Sequence, residues 1–316
     1  MIMEIIRIHH PYTQLQIPKE DLVLVLGFFD GVHRGHQELI RRGRIEADER
    51  QCPLAVMTFN QHPSIVFQKT NPNNMQYLTT LDQKIAHMER LDVDILFIVD
   101  FTSAFASLSP QAFVDQYMVG LHAKVVVAGF DYTYGPRDIA TMENLPKYAQ
   151  DRFSIICVEE QLDHGNKISS TAIRQSLDAG QLEQTNRLLG YTYEIEGIVI
   201  HGDARGRTLG FPTANVEVAS TTHLPKLGVY AVKMKVGPNW YNGMAQIGHN
   251  ITFGDNRKLT VEVNILDFDA DIYGEQVKVA WYHYLREEVK FSGRDGLIKQ
   301  LEEDRENTRN YFNQHH

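Results

Sequence analysis

Residues 27–36 read Gly27-Phe28-Phe29-Asp30-Gly31-Val32-His33-Arg34-Gly35-His36. His33 and His36 are one helical turn apart and share a face if a helix begins there. Two imidazoles at a helix start can donate hydrogen bonds to a phosphate that gains charge in a transition state. Free N–H groups and the helix dipole at such an end also attract anions. Gly27, Gly31 and Gly35 give the turn its freedom, and Gly35 lets a phosphate approach the backbone. Phe29 and Asp30 complete the turn and, with Gly27, Gly31 and Gly35, are expected to bind the nucleotide phosphates.

A second cluster, Ile168-Ser169-Ser170-Thr171-Ala172-Ile173-Arg174, puts three hydroxyls at a predicted helix start and an arginine one turn in. The hydroxyls of Ser169, Ser170 and Thr171 suit capping and phosphate alike. Arg174 adds a permanent planar cation. Capping alone would explain the Ser-Ser-Thr run. A third stretch, Gly206-Arg207-Thr208-Leu209-Gly210-Phe211-Pro212-Thr213-Ala214-Asn215, fits neither the Walker nor the protein-kinase glycine loop. Gly206 and Gly210 allow a loop that can wrap phosphates. Thr213 and Asn215 point the same way on an extended segment and offer hard oxygen ligands for Mg2+.

The elements that must position these residues follow from the apolar pattern. Up to about residue 160, apolar runs at 22–27, 54–59, 95–99, 125–129 and 153–158 alternate with helical patterns near 36–50, 81–91 and 109–119. Runs apolar at nearly every position suit strands buried on both faces. The alternation predicts a doubly wound α/β, Rossmann-like domain, with the histidines at the carboxyl edge of its first strand. Helical stretches near 170–178 and 181–189 follow. Beyond residue 190 come short strands at 193–200, 229–236, 259–266 and 277–281, separated by turns such as Gly237-Pro238-Asn239 and Gly254-Asp255-Asn256. That texture predicts a small antiparallel β-barrel, closed by a polar amphipathic helix near 293–313. The expected domains are residues 1–185 and 186–316.

Composition limits the function classes. With 316 residues, 43% of them hydrophobic, the chain can fill two cores. A net charge of -9 and a single short basic run, Arg41-Arg42-Gly43-Arg44, argue against nucleic acid as a partner. No segment approaches the ~18 apolar residues of a membrane span, and the amino terminus lacks an apolar run ahead of a small-residue cleavage site. A cytoplasmic protein is expected. Cys52 and Cys157 lie in or beside strand-like runs and read as two buried, reduced thiols; no spacing suggests zinc.

The first two clusters together resemble the HxGH nucleotidyltransferases. In order with His62-Pro63 and Val126–Gly135, they resemble the adenylyltransferase half of bacterial bifunctional riboflavin kinase/FAD synthetases over about residues 20–190. The third stretch resembles the PTAN motif of riboflavin kinases. It is followed in order by Gly228-Val229-Tyr230, Asn242-Gly243, Val261-Glu262-Val263, Leu266-Asp267-Phe268, Tyr273-Gly274, Arg286-Glu287 and Lys290-Phe291.

The resemblance implies ATP, riboflavin, FMN and FAD as substrates and products, with Mg2+ as cofactor. It implies His33 and His36 at the α-phosphate, and Ser169, Ser170, Thr171 and Arg174 at the outer phosphates. Thr213 and Asn215 would hold Mg2+ and ATP, and Glu262 would be the base at the ribityl 5′-hydroxyl. His62, Asp131, Arg286 and Phe291 would lie at the flavin.

The chain departs from the family pattern at Asn60-Gln61, at Pro136–Ala140, and at Ile251 where a proline is usual. Two families of motif in the expected order make the bifunctional enzyme the expected reading. Its rivals are a kinase with a weakened or lost adenylyltransferase, a first domain that transfers a nucleotide to another phosphorylated alcohol, and a non-catalytic flavin-binding regulator. A base at Glu262, which a pure binder does not need, favours the enzymes. The oligomeric state is not legible in the sequence.

Overall fold

The structure is a computed structural model and describes residues 2–68, 71–202, 209–249, 259–289, 291 and 293–315, the side chains of residues 73 and 249 excepted. Gly206, Lys290, the Gly254-Asp255-Asn256 turn and the altered position 251 lie outside the described residues. Contacts divide the chain into two compact units, Met1–Ser170 and Thr171–His316.

The first unit is built on a six-stranded sheet of β1 (Glu4–Ile8), β2 (Leu22–Leu26), β3 (Leu54–Phe59), β4 (Ile95–Val99), β5 (Ala123–Gly129) and β6 (Ser154–Val158). Its order is β1-β4-β3-β2-β5-β6 and every pairing is parallel. Each residue of β2, β3 and β4 is buried, as their all-apolar sequences require. Leu22, Leu24 and Leu26 enter one core, and Val23 and Val25 enter the core on the opposite face.

Helices α1 (Arg34–Arg50), α2 (Ser64–Phe67), α3 (Leu81–Arg90), α4 (Ser103–Ala106), α5 (Pro110–Val114) and α6 (Leu145–Ala149) connect the strands. From β2 the chain winds to β3 and β4 on one side, and from β5 to β6 on the other. The gap between β2 and β5 is therefore the topological switch point, where open sheets bind ligands beyond their carboxyl ends. Two short strands, β7 (Leu162–Asp163) and β8 (Asn166–Lys167), form a hairpin before residue 170.

The expectations need three corrections here. β1 is an extra strand, with only two of its five residues buried, so it shows no continuous apolar run. The helix expected over 109–119 turns into a π-helix at Asp115–Val119. Cys157 is exposed rather than buried, because β6 is an edge strand with no fully buried residue; Cys52 is half-buried, and both thiols are free.

The second unit contains α7 (Ser170–Asp178, whose first residue counts with the first unit), α8 (Leu182–Leu189), six strands and α9 (Arg294–His315). The strands are β9 (Glu194–Ile200), β10 (Ala214–Val218), β11 (Gly228–Val236), β12 (Asn239–His249), β13 (Leu259–Ile265) and β14 (Gln276–Arg286). They close an antiparallel barrel in the order β10-β13-β12-β11-β14-β9. Val216, Val232, Met234, Val263, Val279 and Trp281 are among its buried residues.

The two barrel strands absent from the sequence expectation are β10 and β12. One follows a loop motif directly, and the other is broken up by Gly243 and Gly248. The helices α7 and α8 are tied to the barrel. Asn186 Nδ2 donates to Trp281 O at 2.9 Å, the Lys226 N–H donates to Leu177 O at 3.0 Å, and His223 pairs with Asp178 at 2.9 Å. A boundary near residue 185 thus falls within α8.

Candidate functional site

At the carboxyl end of β2 the chain turns sharply. Phe29 (φ 57°), Gly31 (φ 80°) and Val32 (φ 34°) all have positive φ, a cost met only where the surroundings fix the backbone. Asp30 does much of that fixing. Its buried carboxylate accepts the N–H groups of Leu78 and Thr79 at 2.9 and 3.3 Å, and Ser170 Oγ donates to its carbonyl at 2.8 Å. Asp30 therefore works inside the loop. The Phe29 ring is buried over Gly27, where an added Cβ would come within 2.7 Å of it.

His33 caps α1, its Nδ1 accepting the N–H of His36 at 3.3 Å. An acceptor at Nδ1 fixes the neutral tautomer, so Nε2 carries the proton and can donate. The His33 and His36 rings stack at 3.6 Å, and His36 meets the Phe29 edge at 5.2 Å. Gly35 makes room for this stack, since a Cβ there would sit 3.2 Å from His33 Cε1 and Nδ1.

Burial pulls the His33 imidazole down to about 4, with Asp131 opposing and Lys167 assisting. His36 falls well below the usual histidine range, first through burial and then through the positive charges of His33 and Lys84. Both rings are neutral at pH 7, so they act as hydrogen-bond donors rather than fixed cations.

Other loops reach the same sheet edge. His62, after β3, bonds Ser64 Oγ at 2.7 Å and meets the Phe28 ring edge-on at 5.0 Å. Asp131, after β5, is exposed and pairs with Lys167 at 2.6 Å. Ser169 and Ser170 are half-buried. Thr171 and Arg174, three apart on the first turn of α7, share a helix face.

In the barrel, register assembles a second centre. Asn215 on β10 stands directly opposite Glu262 on β13, which stands opposite Gln246 on β12. Thr213 Oγ1 donates to Glu262 Oε2 at 3.3 Å. Asn264 Nδ2 donates to Pro212 O at 2.7 Å and pins the approach to Thr213. Gly202 lets the Asn215 side chain lie against the backbone, because a Cβ there would fall 2.1 Å from Nδ2. Gly210 adopts φ 84°, which glycine permits. A cavity of about 420 Å3 opens beside Pro212 and Thr213, which line it together with Val263, Phe268, Asp271 and Tyr273 among others.

Thr213 and Asn215 offer a hydroxyl and an amide oxygen, hard oxygens suited to Mg2+. Thr213 spends its proton on Glu262, which leaves its oxygen lone pairs available to a cation. No cluster of three or more His, Cys, Asp or Glu side chains that could hold a metal occurs among the described residues.

The family model described as FAD synthetase matches residues 15–172, and the one described as riboflavin kinase matches residues 189–312. The chain is 49% identical over 310 residues to the bifunctional riboflavin kinase/FMN adenylyltransferase of Listeria monocytogenes, covering 98% of each chain. The chain belongs to that family. It is also 43% identical over 313 residues to the Bacillus subtilis member, again covering 98% of each. A solved structure from Streptococcus pneumoniae, described as a macrolide-efflux protein, is 40% identical with a TM-score of 0.88, covering 96% of this chain and 99% of that one. No helix among the described residues is long and apolar enough to cross a membrane.

Two residues expected at the flavin of this bifunctional family lie at the far end of the barrel chain. Arg286 makes a two-pronged ion pair with buried Asp304 on α9, at 2.8 and 2.6 Å, and its third nitrogen donates to Glu287 O. Its guanidinium is committed to holding that helix. Phe291 is half-buried just ahead of α9. The sequence expectation also missed a residue. Lys84 is buried on α3, donating to Phe28 O at 2.7 Å and Thr58 Oγ1 at 3.2 Å. Its signal was position: Leu81, Lys84, Ile85 and Met88 share the apolar face of that helix.

The neutral histidines make the first unit acid-sensitive. An unfolded histidine titrates near 6.5, and folded His33 near 4. Between those values the unfolded chain binds more protons, so stability is full above about 6.5 and is lost as pH falls toward 4, by about 3 kcal/mol. Melting temperatures from pH 7 to 4.5 should fall more steeply for the native chain than for His33→Asn, which keeps a capping side chain. Parallel slopes would show that His33 carries no such linkage.

Proposed function

We propose that this bifunctional riboflavin kinase and FMN adenylyltransferase runs its two reactions at the two centres just described. In the first, an FMN phosphate oxygen attacks the α-phosphate of ATP and pyrophosphate leaves. His33 Nε2–H and His36 donate to the phosphate as its charge grows. Ser169, Ser170, Thr171 and Arg174 hold the leaving phosphates, while His62 and Asp131 border the flavin.

In the second, the ribityl 5′-hydroxyl oxygen attacks the γ-phosphate of ATP and ADP leaves, Glu262 accepts the hydroxyl proton, and Thr213 and Asn215 hold ATP and would hold Mg2+. When bound, Mg2+ neutralises charge on the transferring phosphate. The carrying observation is the cross-strand placement of Asn215 and Glu262 with Thr213 in hydrogen-bond reach. Incubating the protein with riboflavin, ATP and Mg2+ and separating the flavins should give FMN first and then FAD. FMN alone would leave a kinase without its partner activity, and neither product would leave only a binder. The ATP requirement and two free thiols fit a cytoplasmic setting.

We also propose a functional boundary near residue 185. A fragment of residues 186–316 is expected to be soluble and to phosphorylate riboflavin. It lacks the Asp178–His223 and Leu177–Lys226 ties, so a fragment beginning at Thr171 should melt several degrees higher. Equal melting would mean that α7 contributes nothing to the barrel. An inactive but folded 186–316 would mean that the kinase needs residues before the cut.

A further inference from the structure

Lys84 is a buried cation whose charge the Asp30 carboxylate favours without a direct ion pair. The residue is 4% exposed, and among the described residues it makes no ion pair. Its ammonium donates to Phe28 O at 2.7 Å and to Thr58 Oγ1 at 3.2 Å, and it lies 4.3 Å from the centroid of the Phe28 ring. Thr58 in turn donates to the same Phe28 carbonyl at 2.9 Å. That carbonyl belongs to the peptide entering Phe29, the positive-φ residue whose ring abuts His36.

A desolvated ammonium is costly to maintain without a paired anion. It is tolerable where an anion arrives during function and shares the field. Adenylyl transfer brings a triphosphate to the His33–His36 stack, and the positive charge of Lys84 is already felt there, acting on His36.

We infer that Lys84 is a positioning residue for adenylyl transfer: its buried ammonium fixes the Phe28 carbonyl where β2 gives way to α1, and it keeps a positive charge behind the His33–His36 stack. This rests on the assignment of that stack to the adenylyl reaction. The titratable groups facing Lys84 are Asp30 from the β2–α1 turn, which favours its charge, and His36 from α1, which Lys84 itself keeps neutral. Burial draws the ammonium down to about 8, with Asp30 opposing. The charge is therefore lost within an accessible pH range.

The test uses the full chain, with FMN and ATP supplied and FAD formation followed from pH 6 to 10. Riboflavin phosphorylation by the same samples serves as a control for folding. Lys84→Met should lower kcat for FAD about 10- to 100-fold, less than loss of a direct donor. It should change KM for FMN little and lose the alkaline fall expected of the native chain. Lys84→Arg should recover part of kcat and move that fall to higher pH, since a guanidinium stays charged. A Lys84→Met variant with native kcat and a native alkaline fall would overturn the inference, as would one that changes only the melting temperature. If Lys84→Met does not fold, an unmoved alkaline fall in Lys84→Arg overturns it alone. Loss of FAD formation in His36→Ala with native behaviour in both Lys84 variants would defeat the inference and leave the assignment of the stack standing.

Discussion

His36→Ala should reduce FAD formation about 100- to 1000-fold, the usual cost of losing one donor aimed at developing charge, and leave riboflavin phosphorylation at its native rate. The substitution removes the ring stacked on His33 at 3.6 Å but keeps the backbone N–H that His33 Nδ1 accepts. The His33 tautomer therefore survives, and the loss reports on His36 alone. With riboflavin and ATP, the variant should accumulate FMN where the native chain carries it on to FAD. His36→Gln, which keeps an N–H donor, should recover part of the rate. FAD output from His36→Ala within a few-fold of native would remove His36 from the chemistry and leave it a packing residue against Phe29.

How much of this was legible in the sequence depended on whether neighbours in space were also neighbours in the chain. β2, β3 and β4 announced themselves because a strand covered on both faces must be apolar throughout. β1 did not, because an edge strand is relieved of that requirement. The histidine pair was visible because one helical turn links its members and the strand before it ends at the sheet's carboxyl edge. The row of Asn215, Glu262 and Gln246 was not, because only barrel register brings three distant strands together.

β12 hid for a related reason. Its Gly243 suggests a turn, yet a Cβ there would meet Asn264 O at 2.9 Å, so the glycine serves close strand packing. The Arg286–Asp304 ion pair was not legible, because nothing in the sequence marked Asp304, a carboxylate in a polar helix, as a buried partner. Lys84 escaped notice because a lysine on an amphipathic helix is ordinarily solvated. Its burial depends on the carbonyl and hydroxyl that receive it.

Glu262→Gln should lower the riboflavin kinase rate about 100- to 10,000-fold, the range for loss of a general base, with ATP and riboflavin binding almost unchanged. The amide keeps the size of the carboxylate and can still accept from Thr213 Oγ1, which lies 3.3 Å from the native Oε2. The row across β10, β13 and β12 should therefore hold its shape while the proton acceptor is gone. FAD formation from supplied FMN should be untouched. Its nucleophile is already a phosphate oxygen, and no alcohol must lose a proton. Thr213→Ala should behave differently. It removes an oxygen that accepts a cation and leaves the base in place, so the apparent Mg2+ requirement should rise and excess Mg2+ should restore part of the rate. Two binding titrations and two initial rates on each variant separate the roles. A native kinase rate in Glu262→Gln would make Glu262 a strand residue whose carboxylate only orients Thr213. Equal loss of binding in both variants would mean that the row works as one binding surface. Neither result is expected from a carboxylate held in reach of the Thr213 hydroxyl and directly opposite Asn215 across β10 and β13, with Thr213 lining a cavity of about 420 Å3.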